Sequence, residues 1–221
     1  MTIRAVVFDF DGVLANSEPL HYAAFRDVLA DQGMSLSEAD YYARYLGYDD
    51  RGVFEAVLPP AADRGPRIAQ LIEKKAVRLE QLERDRPVLF PGAADAVMRM
   101  AASRPIAIAS GALRPEIERV LRSAGLIHLF ATIVGAEDTP ASKPSPDPYL
   151  RAVSLLAARL EQELQPEACL AVEDSHWGLE SARRAGLRTV GISHTYPASE
   201  LQADLVIDHL DLLTDDLLRR L

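Results

Sequence analysis

The sequence predicts an α/β fold, with a Rossmann-like parallel sheet, helices on both of its faces and an inserted helical cap domain. Short apolar runs rich in β-branched residues alternate with helical patterns along most of the chain. One long segment, residues 16–87, breaks this alternation with helical patterns alone. Strands that alternate with helices are typical of a parallel sheet covered on both faces.

Six apolar runs are the predicted strands, and helical patterns such as those at 114–125 and 175–186 separate most of them. In a parallel sheet, ligands bind beyond the carboxyl ends of the strands, so the residues that follow each run are candidates for function. We assign residues 1–15 and 88–221 to the core domain. The runs span residues 3–8, 105–110, 131–135, 168–174, 188–193 and 203–208.

The predicted helical cap occupies residues 16–87. Helical patterns without a convincing strand cover 18–33, 35–47 and 64–85. Pro91 and Gly92 then mark the return to the core before a new helix.

Composition excludes several classes of partner. The 221 residues carry a formal net charge of −9, which argues against a general electrostatic grip on nucleic acid or on anionic lipid. The single cysteine, Cys169, lies among apolar residues and indicates a buried thiol in a reducing compartment. The first apolar run is too short for a signal peptide, so we expect a cytoplasmic protein. The sequence does not indicate an oligomeric state.

Two acidic pairs lie at predicted strand ends. Asp9 and Asp11 alternate with phenylalanines, so both carboxylates can share one face, and Gly12 permits a sharp turn. Glu173 and Asp174 end the run at 168–174 in the same way, before a predicted N-cap at Ser175. Oxygen ligands without clustered Cys or His favour Mg²⁺, although an ordinary loop or capping role is the alternative.

Two further segments carry groups suited to an anion. Ser110 and Gly111 precede a helix and offer a hydroxyl and main-chain N–H groups. Lys143 lies in the proline-rich segment "SKPSPDPY", where its charge could meet a phosphate. A turn serine and a solvated lysine are the simpler alternatives for these residues.

The segments "DFDGVL", Ser110, Lys143 in "SKPSPDPY" and "EDSHWGLESARRAG" together resemble the four motifs of the haloacid dehalogenase superfamily. The helical insertion and "NSEPLH" resemble its β-phosphoglucomutase-like subgroup with a small helical cap. The resemblance implies that Asp9 is the nucleophile and that Asp11 protonates the leaving oxygen and later activates water. It also implies that Asp9, the backbone carbonyl of Asp11 and Asp174 bind Mg²⁺, with Glu173 acting directly or through water, and that Lys143 restrains Asp9.

The same resemblance suggests substrate-binding residues and a lid role for the insertion. His21 and Arg51 in the insertion correspond to positions near the active site, and Gly111 and Arg114 follow the second strand. Each has a simpler alternative, since a lone helical histidine or a surface arginine is common. For Arg51 that alternative is a solvated helix start.

The predicted function is a Mg²⁺-dependent phosphatase that acts on a small phosphorylated metabolite, such as a sugar phosphate, through an aspartyl-phosphate. The presence of Asp11 favours phosphate-ester chemistry over dehalogenation, because an alkoxide leaving group needs a proton. A β-phosphoglucomutase-type sugar-phosphate mutase is the alternative. A phospho-acceptor signalling domain without turnover is a more distant one.

Overall fold

The computed structural model describes residues 2–45, 48, 50–60, 63–85, 88–161 and 163–221. The chain divides into two compact units. The core unit comprises Met1–Asn16 and Val88–Leu221, and the helical unit comprises Ser17–Pro87. The helical unit thus begins at Ser17, whereas the sequence places the start of the insertion at residue 16.

The core unit contains a six-stranded sheet in the order β3-β2-β1-β4-β5-β6, and every neighbouring pair is parallel. The predicted α/β fold class with a Rossmann-like parallel sheet is confirmed. Each strand lies within one predicted apolar run or within one residue of it. The strands are β1 (Ala5–Phe8), β2 (Ile106–Ala109), β3 (Phe130–Val134), β4 (Cys169–Glu173), β5 (Arg188–Ile192) and β6 (Leu205–Ile207).

The helical unit consists of helices around an apolar centre of its own. Phe25 and Phe54 meet edge to face there, with their ring centroids 5.2 Å apart. The long fourth helix contributes Ile68 and Leu71 to this centre, as its apolar periodicity predicts. The helices are α1 (Glu18–Ala30), α2 (Glu38–Arg44), α3 (Asp50–Val57) and α4 (Arg64–Asp85).

The helices of the core unit cover the sheet. Ala5 and Val7 of β1 share a buried cluster with Tyr149, whereas Val6 and Phe8, which point to the opposite face, are also fully buried. Both faces of the central strand are therefore covered, as its continuous apolar sequence indicates. The helices are α5 (Ala93–Ala101), α6 (Arg114–Ser123), α7 (Asp147–Leu160), α8 (His176–Arg184) and α9 (Asp215–Leu218).

Parallel pairing brings the strand carboxyl ends to one edge of the sheet, which we call the carboxyl edge. Asp9 follows β1, Ser110 follows β2, and Glu173 ends β4. This edge therefore gathers the polar residues that the sequence places after apolar runs. Within the part of the chain that the structure describes, no helix combines the length and apolar character needed to cross a bilayer.

Candidate active site

The turn after β1 presents the first two acids of the site. Asp9 is buried and Asp11 is partly buried. Gly12 adopts a positive φ of 76°, and its N–H donates to the carbonyl of Ala15 at 2.9 Å. A side chain at position 12 would also collide with Asp174, since a Cβ there would lie 1.9 Å from Asp174 Oδ2. Glycine is thus required both for the backbone angle and for the close approach of the two acidic segments.

Glu173 is fully buried at the end of β4, and its carboxylate is surrounded by donors. Oε1 accepts hydrogen bonds from Lys143 Nζ at 2.5 Å and from the Tyr149 hydroxyl at 2.7 Å. Oε2 accepts from the Asp174 N–H at 3.2 Å and from the Ser175 hydroxyl at 3.3 Å. These donors stabilise a charge that would otherwise be costly to bury.

The start of α8 gives Glu173 the room that it needs. A Cβ at Gly178 would lie 2.0 Å from the Glu173 carboxyl carbon, so this first-turn glycine is a steric requirement. Ser175 is the N-cap, as predicted, and its hydroxyl oxygen accepts from the Gly178 N–H at 3.1 Å.

Lys143 connects the two acidic segments. Its Nζ lies 2.7 Å from Asp9 Oδ1 as well as 2.5 Å from Glu173 Oε1. The same ammonium lies 5.2 Å from the centroid of the Tyr149 ring. Although burial acts in the opposite direction, the charges of Asp9 and Glu173 raise the pKa of Lys143. The side chain is therefore a fixed positive charge beside Asp9.

The buried carboxylates repel one another. Burial, followed by the charge of Glu173, raises the pKa of Asp9 well above its usual range, against the opposing charge of Lys143. Burial and Glu173 also raise the pKa of Asp174 to about 7. A cation placed among these groups would favour their charged forms.

The donor set fits a divalent metal ion. Asp9, Glu173 and Asp174 each offer a carboxylate oxygen, and these oxygens lie within 4.8 Å of one another. Among the described residues, no hydrogen bond of good geometry reaches the buried Asp9 Oδ1, whose close polar neighbour is Lys143 Nζ. Asp9 Oδ1 therefore still has lone pairs with which to bind a metal ion. Glu173, by contrast, already has donors on both of its oxygens.

Ser110 and Gly111 lie at the carboxyl edge, as the sequence predicts. Ser110 is buried, and its hydroxyl oxygen accepts from the Ala112 N–H at 3.1 Å. Because the hydroxyl proton is not used in that bond, it remains able to donate. Gly111 is exposed, and nothing lies within 4 Å of a Cβ built there, so sterics do not require glycine at this position.

Arg114 makes its described contacts within the core unit. Its guanidinium donates to the carbonyl of Ile133 at 2.5 Å and to Asp138 Oδ2 at 2.7 Å. These partners lie on β3 and on the turn that follows it, and they favour a structural role for this side chain. Its predicted role in substrate binding stays a prediction.

In the helical unit, His21 belongs to a partly buried polar cluster. The Lys75 ammonium, 1% exposed, lies 2.9 Å from His21 Nδ1 and donates to Asp50 Oδ1 at 2.7 Å. Since Lys75 can only donate, Nδ1 accepts and the proton of a neutral His21 ring is on Nε2. The sequence places His21 near substrate but does not assign Lys75 to the site.

Arg51 lies in the first turn of α3, with its side chain 55% exposed and 3.7 Å from Glu55. The structure around Arg51 is the solvated helix start that the sequence gives as the alternative to substrate binding. Asp49 and Gly47, which precede Arg51 in the chain, lie outside the described residues.

Tyr149, His194 and Thr195 contact the site but are not identified by sequence reasoning. Thr195 donates a hydrogen bond to Asp174, and His194 Nδ1 lies 2.9 Å from the Gly12 carbonyl oxygen. None of the three is an acid of a strand-end pair or a serine at the end of a strand. The only signal for Thr195 and His194 is that they follow the apolar run of β5.

Comparison with known proteins agrees with the family resemblance of the sequence motifs. The profile of a haloacid dehalogenase-like hydrolase matches residues 3–186. Protein CbbY of Rhodobacter capsulatus is 35% identical over 201 residues, which cover 86% of this chain and 85% of CbbY. Fructose-1-phosphate phosphatase YqaB of Escherichia coli is 30% identical over 188 residues, covering 85% of this chain and 95% of YqaB.

A solved structure extends the similarity to the fold. A variant of CbbY from Rhodobacter sphaeroides, crystallised in complex with xylulose-(1,5)bisphosphate, superposes with a TM-score of 0.78 at 28% identity. The match covers 96% of each chain. The predicted resemblance and the predicted class of enzyme, a phosphoric monoester hydrolase, are confirmed. The chain therefore belongs to the haloacid dehalogenase-like hydrolase family.

Proposed function

We propose that this protein is a Mg²⁺-dependent phosphatase that hydrolyses a small phosphorylated metabolite through an aspartyl-phosphate on Asp9. The observation that carries the proposal is the convergence of Asp9, Lys143 and Asp174 at the carboxyl edge, with Lys143 Nζ 2.7 Å from Asp9 Oδ1. A buried nucleophilic carboxylate beside a fixed cation suits phosphoryl transfer.

The metal site of this proposal uses oxygen ligands only. Asp9, Asp174 and the backbone carbonyl of Asp11 would bind Mg²⁺, which oxygen donors favour. Because both oxygens of Glu173 already accept hydrogen bonds, its contribution is best described as indirect, through Lys143 or through water. When bound, the ion neutralises negative charge on the phosphoryl group.

The side chains of this chain perform the remaining steps. An Asp9 oxygen attacks phosphorus, and Asp11 gives its proton to the leaving oxygen. Asp11 then takes a proton from the water that attacks the aspartyl-phosphate, which releases phosphate and restores both acids. Lys143 and the Ser110 hydroxyl stabilise the charge on the phosphoryl oxygens.

The substrate is proposed to be a sugar phosphate or a similar phosphomonoester. The names of relatives support this class, since one is a fructose-1-phosphate phosphatase and the CbbY variant contains a sugar bisphosphate. His21, Arg51, Gly111 and Arg114 are the proposed substrate-binding residues. The proposal retains the expected cytoplasmic location and the absence of nucleic-acid and membrane partners.

The test is release of phosphate from a panel of sugar phosphates, phosphoglycolate and nucleotides with Mg²⁺. Asp9→Asn and an excess of EDTA should each abolish release, and Asp11→Asn should lower turnover by about 10²–10⁴-fold. Circular dichroism would confirm that both variants fold. Full activity of Asp9→Asn or Asp11→Asn would contradict the mechanism.

The same panel separates the alternatives. The panel includes β-glucose 1-phosphate with a bisphosphate activator, and a phosphatase should not convert it to glucose 6-phosphate. Conversion to glucose 6-phosphate without net release would instead show a mutase. A stable phosphorylated protein without turnover would show a phospho-acceptor switch.

A further inference from the structure

The segment that follows β5 contacts both of the acidic segments of the site. We call residues 193–195 the β5 segment. His194 Nδ1 lies 2.9 Å from the carbonyl oxygen of Gly12, which belongs to the turn after β1. The Thr195 hydroxyl donates to Asp174 Oδ2, directly after β4. Because β4 lies between β1 and β5 in the sheet, this segment joins two loops that originate from different strands.

The β5 segment is itself anchored. The Ser193 N–H donates to the carbonyl of Ile207 at 3.0 Å, and the Ser193 hydroxyl donates to Asp208 Oδ1 at 2.7 Å. The His194 ring stacks on Phe90, with centroids 4.0 Å apart and an interplanar angle of 24°. These contacts hold the segment in place, so His194 and Thr195 contact the site from a fixed backbone.

The contacts of Thr195 and His194 restrict the orientation of the proposed Mg²⁺ ligands in two ways. A carboxylate that receives one hydroxyl donor on Oδ2 has a preferred rotation, so its other oxygen has a defined direction. Gly12 follows Asp11 directly, so holding the Gly12 carbonyl fixes the turn that presents the Asp11 carbonyl. The packing of Asp174 against Gly12 leaves little room for either segment to move alone.

We propose that Thr195 and His194 are positioning residues for the Mg²⁺ site, where Thr195 orients the Asp174 carboxylate and His194 fixes the turn after Asp11. This inference rests on the proposed Mg²⁺ site. Neither residue touches the reacting atoms, and neither belongs to the four motifs on which the family resemblance rests.

Thr195→Val is the first test, because valine keeps the shape and removes the hydroxyl. Loss of a hydrogen-bond partner to a metal ligand should weaken Mg²⁺ binding about tenfold or more. Isothermal titration calorimetry of Mg²⁺ into the substrate-free protein measures this without activity. Thr195→Ser restores the hydroxyl, so it should bind Mg²⁺ close to the wild-type affinity.

Ser193→Ala is the matched control. It removes a hydroxyl-to-carboxylate hydrogen bond from the same segment, but from one whose acceptor, Asp208, is not a proposed ligand. Because the Ser193 N–H bond to Ile207 and the stacking of His194 on Phe90 still anchor the segment, it should lower Mg²⁺ affinity far less than Thr195→Val does. An equal loss in Ser193→Ala and Thr195→Val would show general loosening of the segment and would overturn the specific role of Thr195.

His194 has its own pair of variants. His194→Phe keeps an aromatic ring for stacking on Phe90 and removes the donor to Gly12, so it should also weaken Mg²⁺ binding about tenfold. His194→Asn offers an amide donor and should restore much of the affinity. Wild-type affinity in His194→Phe would overturn this part of the inference.

The outcomes separate this inference from the function on which it rests. A wild-type protein that binds no Mg²⁺ would overturn the proposed function itself. Wild-type binding together with unchanged binding in Thr195→Val would overturn only the role of Thr195.

Discussion

Glu173 is fully buried, and four donors replace the water that an exposed carboxylate would have. One of them, the Tyr149 hydroxyl, can be removed while its ring remains next to Lys143. Burial, followed by the charge of Glu173, raises the pKa of Tyr149 well above its usual range, so this hydroxyl is protonated and donates.

Tyr149→Phe should lower both stability and turnover. Loss of a buried hydrogen bond to a charged group should reduce the free energy of unfolding by about 1.5–3 kcal/mol, measured by urea denaturation. We also expect a lower kcat, because Glu173 helps to hold Lys143 beside Asp9.

Tyr41→Phe is the matched control for Tyr149→Phe. It removes the hydrogen bond of 2.5 Å from Tyr41 to Glu18 in the helical unit. It should cost stability and leave kcat largely unchanged. A normal kcat in Tyr149→Phe would show that Glu173 keeps Lys143 in place without this donor.

The sequence identifies Asp9, Glu173 and Lys143 because acids at strand ends and a lysine in a proline-rich segment form a recognisable pattern. It does not identify Tyr149, whose position on α7 is equally typical of an ordinary core aromatic residue. Its role depends on a contact between residues 24 positions apart, which packing determines. Thr195 is missed for the same reason.

Arg51→Ala is a kinetic test in which we expect little change in the stability of the protein. Its side chain is exposed and its ion pair with Glu55 spans 3.7 Å, so Arg51→Ala should change the free energy of unfolding by less than about 1 kcal/mol. If Arg51 binds substrate, KM should rise about tenfold or more while kcat changes less.

Arg44→Ala is the control for Arg51→Ala. It removes another exposed arginine of the helical unit, one that forms a similar pair with Asp40, and it should leave KM unchanged. Unchanged kinetics in Arg51→Ala on the best substrate of the panel would remove this residue from the binding site.

At the scale of elements, α1, α3 and α4 share the buried charge of Lys75. The ammonium has Asp50 and His21 as polar partners, and the Phe25 ring lies 4.8 Å away. Removing one partner of a buried pair costs more than replacing the pair with apolar groups.

Asp50→Asn should therefore destabilise the helical unit by about 2 kcal/mol, somewhat less than for a fully buried pair because 30% of the Asp50 side chain is exposed. Adding Lys75→Met to this variant should recover much of the loss. Urea denaturation monitored by circular dichroism measures both. Asp27→Asn, which breaks the more exposed pairs with Arg78 and Arg26, is the control and should cost about 1 kcal/mol or less.

Glu18 in the first turn of α1 predicts a pH dependence. Burial raises the pKa of Glu18, although Tyr41 and Lys75 oppose this shift. A carboxyl whose pKa is higher in the folded state contributes its full stability below its unfolded pKa of about 4.3, and the contribution is lost as pH rises through the folded value.

Glu18→Gln removes that loss and keeps an acceptor for Tyr41. It should be more stable than the wild type at pH 7, and this advantage should disappear near pH 4. Thermal unfolding across this range measures the difference. An advantage of the same size at both pH values would contradict the assignment to Glu18 ionisation.

The six strands were predictable because each is a short apolar run between turn or helix signals. Helix α3 is not among the helical patterns that the sequence predicts within residues 16–87, since its eight residues begin with Asp50, Arg51 and Gly52 and only four of them are apolar. Two of these, Val53 and Phe54, are fully buried in the helical unit. Tertiary packing therefore stabilises a helix that local propensity does not indicate.

At the scale of the whole molecule, the sequence establishes that polar strand ends meet at one edge, because this follows from parallel pairing alone. It does not establish the strand order, which places β4 beside β1 and so brings Glu173 and Asp174 next to Asp9. Many strand orders are compatible with the same alternating pattern. The sequence pattern therefore does not determine which residues surround each acid, whereas the structure does.

The division into two units gives a last prediction, on how Mg²⁺ changes local stability. All proposed metal ligands belong to the core unit and come from the turn after β1 and the end of β4, and the β5 segment supports them. An ion at 100 times its dissociation constant stabilises the state that binds it by about 2.7 kcal/mol. Hydrogen–deuterium exchange with and without Mg²⁺ should therefore show slower exchange at these three places. Peptides from α3 and α4 in the helical unit should exchange at the same rate in both conditions. Equal slowing in both units would contradict a metal site formed by the core unit alone, because the ion would then stabilise segments that supply none of its ligands.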